Sequence, residues 1–226
     1  MGLLLRKELA ENTILGVWKI EEKEAWYFAN PIVTKRLQNR IDSYQFVKRK
    51  LQAIAVRILI ELLLPDEDNI DISYNEKRKP FFTVAGYNLS ITHSDTMVAV
   101  IVSDQLEVGI DIERESPKIK RIAHKFLSEV EFDRYNEVQE SGQFDYLHIM
   151  WGAKECMFKL YGRGSLSFKE NLAVSEFDLQ SNGKFYGVID KNKRVIKVDG
   201  YYIKLDKFVL VYVLENRDGT PNGIEP

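Results

Sequence analysis

Val108-Gly109-Ile110-Asp111-Ile112-Glu113 alternates apolar residues with small or acidic ones, and a period of two reads as a β-strand. Such a strand turns Ile110 and Ile112 to one face and Gly109, Asp111 and Glu113 to the other. Two carboxylates at i and i+2 on one face sit side by side, and each raises the other's pKa unless a cation lies between them. A hard divalent cation with oxygen ligands, Mg2+ above all, meets that need. Gly109 is expected to leave room beside Asp111 for a ligand to approach the backbone. The competing reading is a solvated strand face with two exposed acids.

Working outward, Met150-Trp151-Gly152-Ala153-Lys154-Glu155-Cys156-Met157-Phe158-Lys159-Leu160 is apolar almost all round, which predicts a largely buried helix. Glu155 and Lys159 stand at i and i+4 on one face. Charges in such a helix are costly without partners, and a metal shared with Asp111 and Glu113 would supply one. A simple helix-surface ion pair is the alternative.

Gly109 to Glu113, followed about forty residues later by Trp151-Gly152-Ala153-Lys154-Glu155, resembles the paired signature of the 4'-phosphopantetheinyl transferases, roughly G-[VI]-D-[IVL]-E and W-x-x-K-E-[AS]. Asn88-Leu89-Ser90-Ile91-Thr92-His93-Ser94 is similar to that family's N-[IVL]-S-H-[ST] segment, with two extra residues. Length and motif order are like the surfactin-synthetase-activating subtype, in which one chain forms a pseudo-dimer. The resemblance implies transfer of the 4'-phosphopantetheine arm of coenzyme A to a serine of an apo acyl or peptidyl carrier protein, releasing 3',5'-ADP. It implies Mg2+ on Asp111, Glu113 and Glu155. It also implies Glu155 or a metal-bound water as base, Lys159 on the leaving phosphate, and Lys154 on phosphate. Coenzyme A carries a 3'-phosphate and a pyrophosphate, and such an anion needs fixed cations. Lys79 of the Lys79-Pro80 pair, Thr92 and His93 are the expected contacts. Arg49, with Arg36 as a further candidate, is assigned to the 3'-phosphate. Residues 114–135, with Arg114, Lys118, Lys120, Arg121 and Lys125 beside Phe126 and Leu127, are expected to face the acidic carrier.

Two other functions stay open. One is a Mg2+-dependent phosphoanhydride hydrolase, which lacks support from any G-x-x-x-x-G-K-[ST] loop. The other is a catalytically inactive coenzyme A- or carrier-binding module.

The expected fold is α+β, with two similar halves, 1–106 and 107–226, forming a pseudo-dimer. Each is a small antiparallel sheet packed on a long helix. The first helix is expected from an Asp42 N-cap to Leu64, where Pro65 ends it. The second is expected over 145–161, after a break at Ser141-Gly142 and before Gly162. Ser128 and Glu131 fit a capping box. Strands are expected at 81–84, 89–92, 97–103, 173–177, 184–189, 201–205 and 208–214, with a hairpin turn at Asn182-Gly183, and a frayed tail from Asn216.

The chain has 226 residues, enough for a real core. A formal net charge of -2 argues against a general nucleic-acid binder. A single cysteine, Cys156, excludes an internal disulfide and a cysteine-based zinc cage. His124 and His148 read as structural. No apolar run is long enough to suggest a membrane span, so a cytoplasmic protein is expected, with no nucleic-acid or membrane partner, and the single-chain pseudo-dimer that the resemblance implies predicts a monomer.

Overall fold

The computed structural model describes residues 2–9, 12–67, 71–76, 79–83, 86–162 and 164–217. Lys77 and Arg78 of the basic loop, Val84 of an expected strand, and 218–226 of the expected tail lie outside the described residues.

The chain opens with β1 (Leu3–Leu9) and β2 (Thr13–Lys19), then three helices, α1 (Glu24–Phe28), α2 (Lys35–Asp42) and α3 (Val47–Leu63). A small pair, β3 (Ile72–Tyr74) and β4 (Pro80–Phe82), precedes the hairpin β5 (Asn88–Ser94) and β6 (Met97–Ser103). The acidic strand is β7 (Val108–Arg114), followed by α4 (Lys118–Phe126), α5 (Glu129–Glu137) and α6 (Glu140–Tyr161). Four strands close the described chain: β8 (Leu172–Val174), β9 (Asn182–Lys191), β10 (Arg194–Leu205) and β11 (Phe208–Glu215).

Two antiparallel sheets result, ordered β1-β2-β6-β5 and β7-β11-β10-β9-β8. The fold is therefore α+β. A strand, a long helix and a closing hairpin recur in the same order: β2, α3 and β5–β6, then β7, α6 and β10–β11. The corresponding strands have matching places, β2-β6-β5 and β7-β11-β10.

Alternation on the inner strands explains the layering. Val98, Val100 and Val102 of β6 pack with Ile54 and Leu59 of α3. The intervening Ala99 and Ile101 pack with Ile110 and Ile112 of β7 and Leu210 and Tyr212 of β11. Val209, Val211 and Val213 of β11 turn the other way, toward α6. Both faces of β6 and β11 are buried, so these strands read as continuous apolar runs. The layers run helix, sheet, sheet, helix.

Several boundaries differ from expectation. Asp42 ends α2 rather than capping α3, whose N-cap is Phe46 with no side-chain hydrogen bond. Ser141-Gly142 does not break α6, because the helix begins at Glu140 and runs through both. Asn182-Gly183 lies within β9. The β9–β10 turn is Asn192-Lys193 instead, where both residues have positive φ, as a type I' turn requires. Gly183 is needed under the ring of Tyr202, 2.6 Å from where a Cβ would stand. The Ser128–Glu131 capping box is present in both directions. Gly162 ends α6 at φ 63, the left-handed conformation a glycine stop adopts.

Candidate active site

Glycine brings the acidic strand and α6 together. A Cβ on Gly109 would lie 2.1 Å from the Cys156 carbonyl oxygen, and one on Gly152 would lie 2.6 Å from Val211 Cγ2. The helix thus rests directly on β7 and β11. The space beside Gly109, expected to admit a ligand, is filled by the α6 backbone. This close approach sets Glu155 and Lys159 against Asp111. Lys159 Nζ donates to Asp111 Oδ1 at 2.7 Å and to the Ile110 carbonyl at 2.9 Å.

Asp111 is only 4% exposed. Its Oδ1 accepts from Lys159 and, at 3.1 Å, from the Thr92 hydroxyl. Its Oδ2 is buried without a partner. Burial pushes the Glu155 carboxyl up to about 7, and the Asp111 charge adds to this. Burial, then Asp111, also raises Glu113. Burial opposes the charge on Lys159, yet the neighbouring Asp111 outweighs it and holds its pKa above the ordinary lysine value. Three mutually repelling carboxylates, one of which carries the buried oxygen without a partner, form a donor set that suits a hard divalent cation. Among the described residues no three such groups form a ready-made cage. Lys159 takes one Asp111 oxygen, and the Ser94 hydroxyl holds Glu113 Oε2 at 3.1 Å.

A hydroxyl row joins the two sheets here. The Ile110, Ile112 and Arg114 N–H groups donate to the side-chain oxygens of Ser90, Thr92 and Ser94, at 3.1, 3.3 and 3.1 Å. β7 is an edge strand, and these hydroxyls satisfy the backbone donors that β11 does not reach. Thr92 and Ser94 in turn donate hydrogen bonds to Asp111 and Glu113. The sequence signal was the Ser90-x-Thr92-x-Ser94 alternation, which places all three on one strand face. Ser90 and Ser94 were not among the expected site residues.

His93 points to the opposite face of β5. Arg49 Nη1 lies 2.9 and 2.7 Å from its two ring nitrogens. Burial, then the Arg49 charge, lowers the pKa of His93. Both residues line a cleft of about 400 Å3 with Phe46, Lys48, Gln52, Ser94 and Asp95. Ser94 thus touches both the cleft and the carboxylates. Gln52 steadies the cleft by accepting from Arg49 and donating to the Asp95 carbonyl.

Other expected residues go elsewhere. Lys154, expected on phosphate, is fully buried and donates to Glu131 Oε2 and to the Phe168 and Leu172 carbonyls at 2.6, 2.7 and 3.0 Å. All three ammonium protons are used, so none is left for a phosphate. Lys79 bonds Glu107 and the Leu160 carbonyl at the end of α6, not the His93 cleft. Arg36 pairs with Asp71 and Ser73, outside that cleft. Phe126 and Leu127, expected on the carrier surface, are 1% exposed and belong to the core. Val130 and Phe132 of α5 are the exposed large apolar side chains among the described residues there, at 60% and 36%. Arg114 is paired with Asp95. His148 is structural: its Nε2 accepts from the Ser116 N–H, and Nδ1 lies 2.9 Å from the Phe144 carbonyl.

The family described as "ACPS: 4'-phosphopantetheinyl transferase superfamily" matches residues 107–213. The 4'-phosphopantetheinyl transferase gsp of Aneurinibacillus migulanus is 27% identical over 179 residues, covering 76% of this chain and 72% of its own. The rat L-aminoadipate-semialdehyde dehydrogenase-phosphopantetheinyl transferase is 24% identical over 204 residues, 82% of this chain and 64% of its own. The transferase Sfp of Bacillus subtilis is 31% identical over 100 residues, 44% of each chain. The crystal structure of Thermotoga maritima holo-[acyl-carrier-protein] synthase matches 50% of this chain and 64% of its own, at 23% identity and a TM-score of 0.39. The family match spans β7 through β11, including the carboxylates of β7 and α6, and over those residues the chain is similar to the 4'-phosphopantetheinyl transferase superfamily.

Proposed function

We propose that the protein transfers the 4'-phosphopantetheine of coenzyme A to a serine of an apo acyl or peptidyl carrier protein, releasing 3',5'-ADP. The observation that carries this reading is the buried Asp111 pair of oxygens, one held by Lys159 and Thr92 and the other unpartnered, between Glu113 and Glu155. Asp111, Glu113 and Glu155 are the residues that would hold Mg2+. When bound, that ion neutralises charge building on the pyrophosphate.

The chain's own groups supply the rest. The serine oxygen bonds to the β-phosphorus as the anhydride bond breaks, and Glu155 accepts the serine proton. Lys159 spends two protons on Ile110 and Asp111, leaving the third for a phosphate oxygen. Arg49 and His93 line the adjoining cleft and suit the 3'-phosphate. The exposed cations of α4, with Val130 on α5, suit an acidic helical carrier. Two halves with one shared core support a monomeric pseudo-dimer.

Incubation with coenzyme A, Mg2+ and an apo carrier should add one phosphopantetheine to the carrier's intact mass. The gain should vanish with EDTA and in Asp111→Ala, a loss on the order of two to three decades in rate. Near-full transfer by Asp111→Ala would refute the mechanism.

A further inference from the structure

Among the described residues of α3, Gln52 is the one polar side chain buried with apolar neighbours such as Ile54, Ile58 and Leu59, at 3% exposure. A buried amide is costly unless its polar ends are hydrogen-bonded. Gln52 uses both ends: Nε2 donates to the Asp95 carbonyl at 2.9 Å, and Oε1 accepts from Arg49 Nη1 at 3.3 Å. The first bond orients the amide, and that orientation turns its oxygen to Arg49.

The anchor is itself fixed. Asp95 lies in the β5–β6 turn at φ 51, and its carboxylate takes Lys48 of α3 at 2.6 Å and Arg114 of β7 at 2.9 Å. The neighbouring Ser94 holds Glu113. Gln52 therefore ties Arg49 to the same turn that sets one of the proposed cation ligands. On its other side Arg49 Nη1 meets the His93 ring at 2.7 Å. The two Nη1 protons thus go to Gln52 and His93, and among the described residues the Nε–Nη2 edge meets no acceptor. That edge is the fork of parallel N–H groups that matches phosphate oxygens in pairs. An arginine held in advance loses less freedom when its ligand arrives.

We infer that Gln52 is a positioning residue that presets Arg49 and so gives the cleft a preference for coenzyme A over 3'-dephospho-coenzyme A. This rests on the proposed placement of the 3'-phosphate on Arg49 and His93.

Calorimetry of the full chain with each coenzyme tests it. The unsubstituted protein should bind coenzyme A more tightly than the dephosphorylated form. Gln52→Met, close in volume but without the hydrogen bonds, should weaken coenzyme A about tenfold and leave the dephosphorylated form unchanged. On an Arg49→Gln background it should have no further effect, whereas a purely structural loss would persist there. Without ligand, the His93 pKa read by NMR should rise toward the ordinary histidine value in Gln52→Met. Arg49 and Lys159 lower that pKa and Asp111 raises it, and the substitution releases Arg49. Gln52→Asn stays polar but is too short to span both partners, and it should show the same losses if Gln52→Met does not fold. Equal weakening of both coenzymes, or an effect that persists with Arg49→Gln, would overturn the inference. If Arg49→Gln abolishes the preference and Gln52→Met keeps it, the role of Gln52 alone falls. If Arg49→Gln keeps it, the 3'-phosphate placement falls as well. Selective binding without carrier modification would count against the transfer reading and leave the role of Gln52 standing.

Discussion

At Thr92 one hydroxyl does two jobs: it accepts from the buried Ile112 N–H and donates to Asp111. Valine keeps its shape and removes both bonds. Thr92→Val should therefore lose ~1–3 kcal/mol in urea unfolding and, by freeing Asp111, about 10–100-fold in activity or Mg2+ affinity. Lys154 shows how far a motif residue can be misread from its neighbours in sequence. As the lysine of the resembled motif it was expected on phosphate, but the helix turns it away from Glu155, onto Glu131. Lys154→Met should cost about 3–5 kcal/mol by stranding a buried carboxylate. The KM for coenzyme A should stay unchanged in the folded fraction, and a raised KM would restore the phosphate role. His93 and Arg49 were legible as a pair only by resemblance, since forty-four positions separate them.

The alternation of β7 was readable because a strand's period of two follows from its backbone geometry. The apolar character of α6 was equally plain. Its start was not, because Ser141 and Gly142 resemble a break, and packing overrode their weak helix propensity. β1 and β3 passed unrecognised, being short or exposed on one side, with little apolar pattern to read. The β7–α6 contact itself depends on Gly109, 2.1 Å from the Cys156 oxygen at the Cβ position. Gly109→Ala must push helix from strand, since backbone cannot yield as a side chain does. We expect a loss of about 1–3 kcal/mol or more in denaturant stability. Transfer should fall more steeply than the folded fraction measured on the same sample, because Asp111 and Glu155 separate.

Over the whole molecule, the site draws on both sheets, and its charge balance ties stability to pH. Glu155 rises in the folded protein from an ordinary 4.5 to about 7. The folded state then binds more protons than the unfolded one in that window, so this group's contribution to stability falls as pH rises from about 4.5 to about 7. His93, lowered on folding, acts in the opposite sense below 6.5. Comparison with Glu155→Gln isolates the carboxylate. In EDTA, the Tm of the unsubstituted protein should fall relative to that variant as pH rises through the window, and excess Mg2+ should close the gap at the upper end. A gap independent of pH and Mg2+ would count against the cation site. No helix among the described residues is long and apolar enough to cross a membrane.

By itself, the sequence determined the acidic strand, the buried helix, the capping box and the family signature. Each is written in local spacing, which backbone periodicity converts directly into faces and ends. Tertiary structure alone decided that Ser90, Thr92 and Ser94 cap β7, that α6 rests on Gly109, and that Lys154 serves the core. Those contacts join residues far apart in the chain, and a side chain's partners across such distances depend on how sheets and helices stack, which no local pattern encodes.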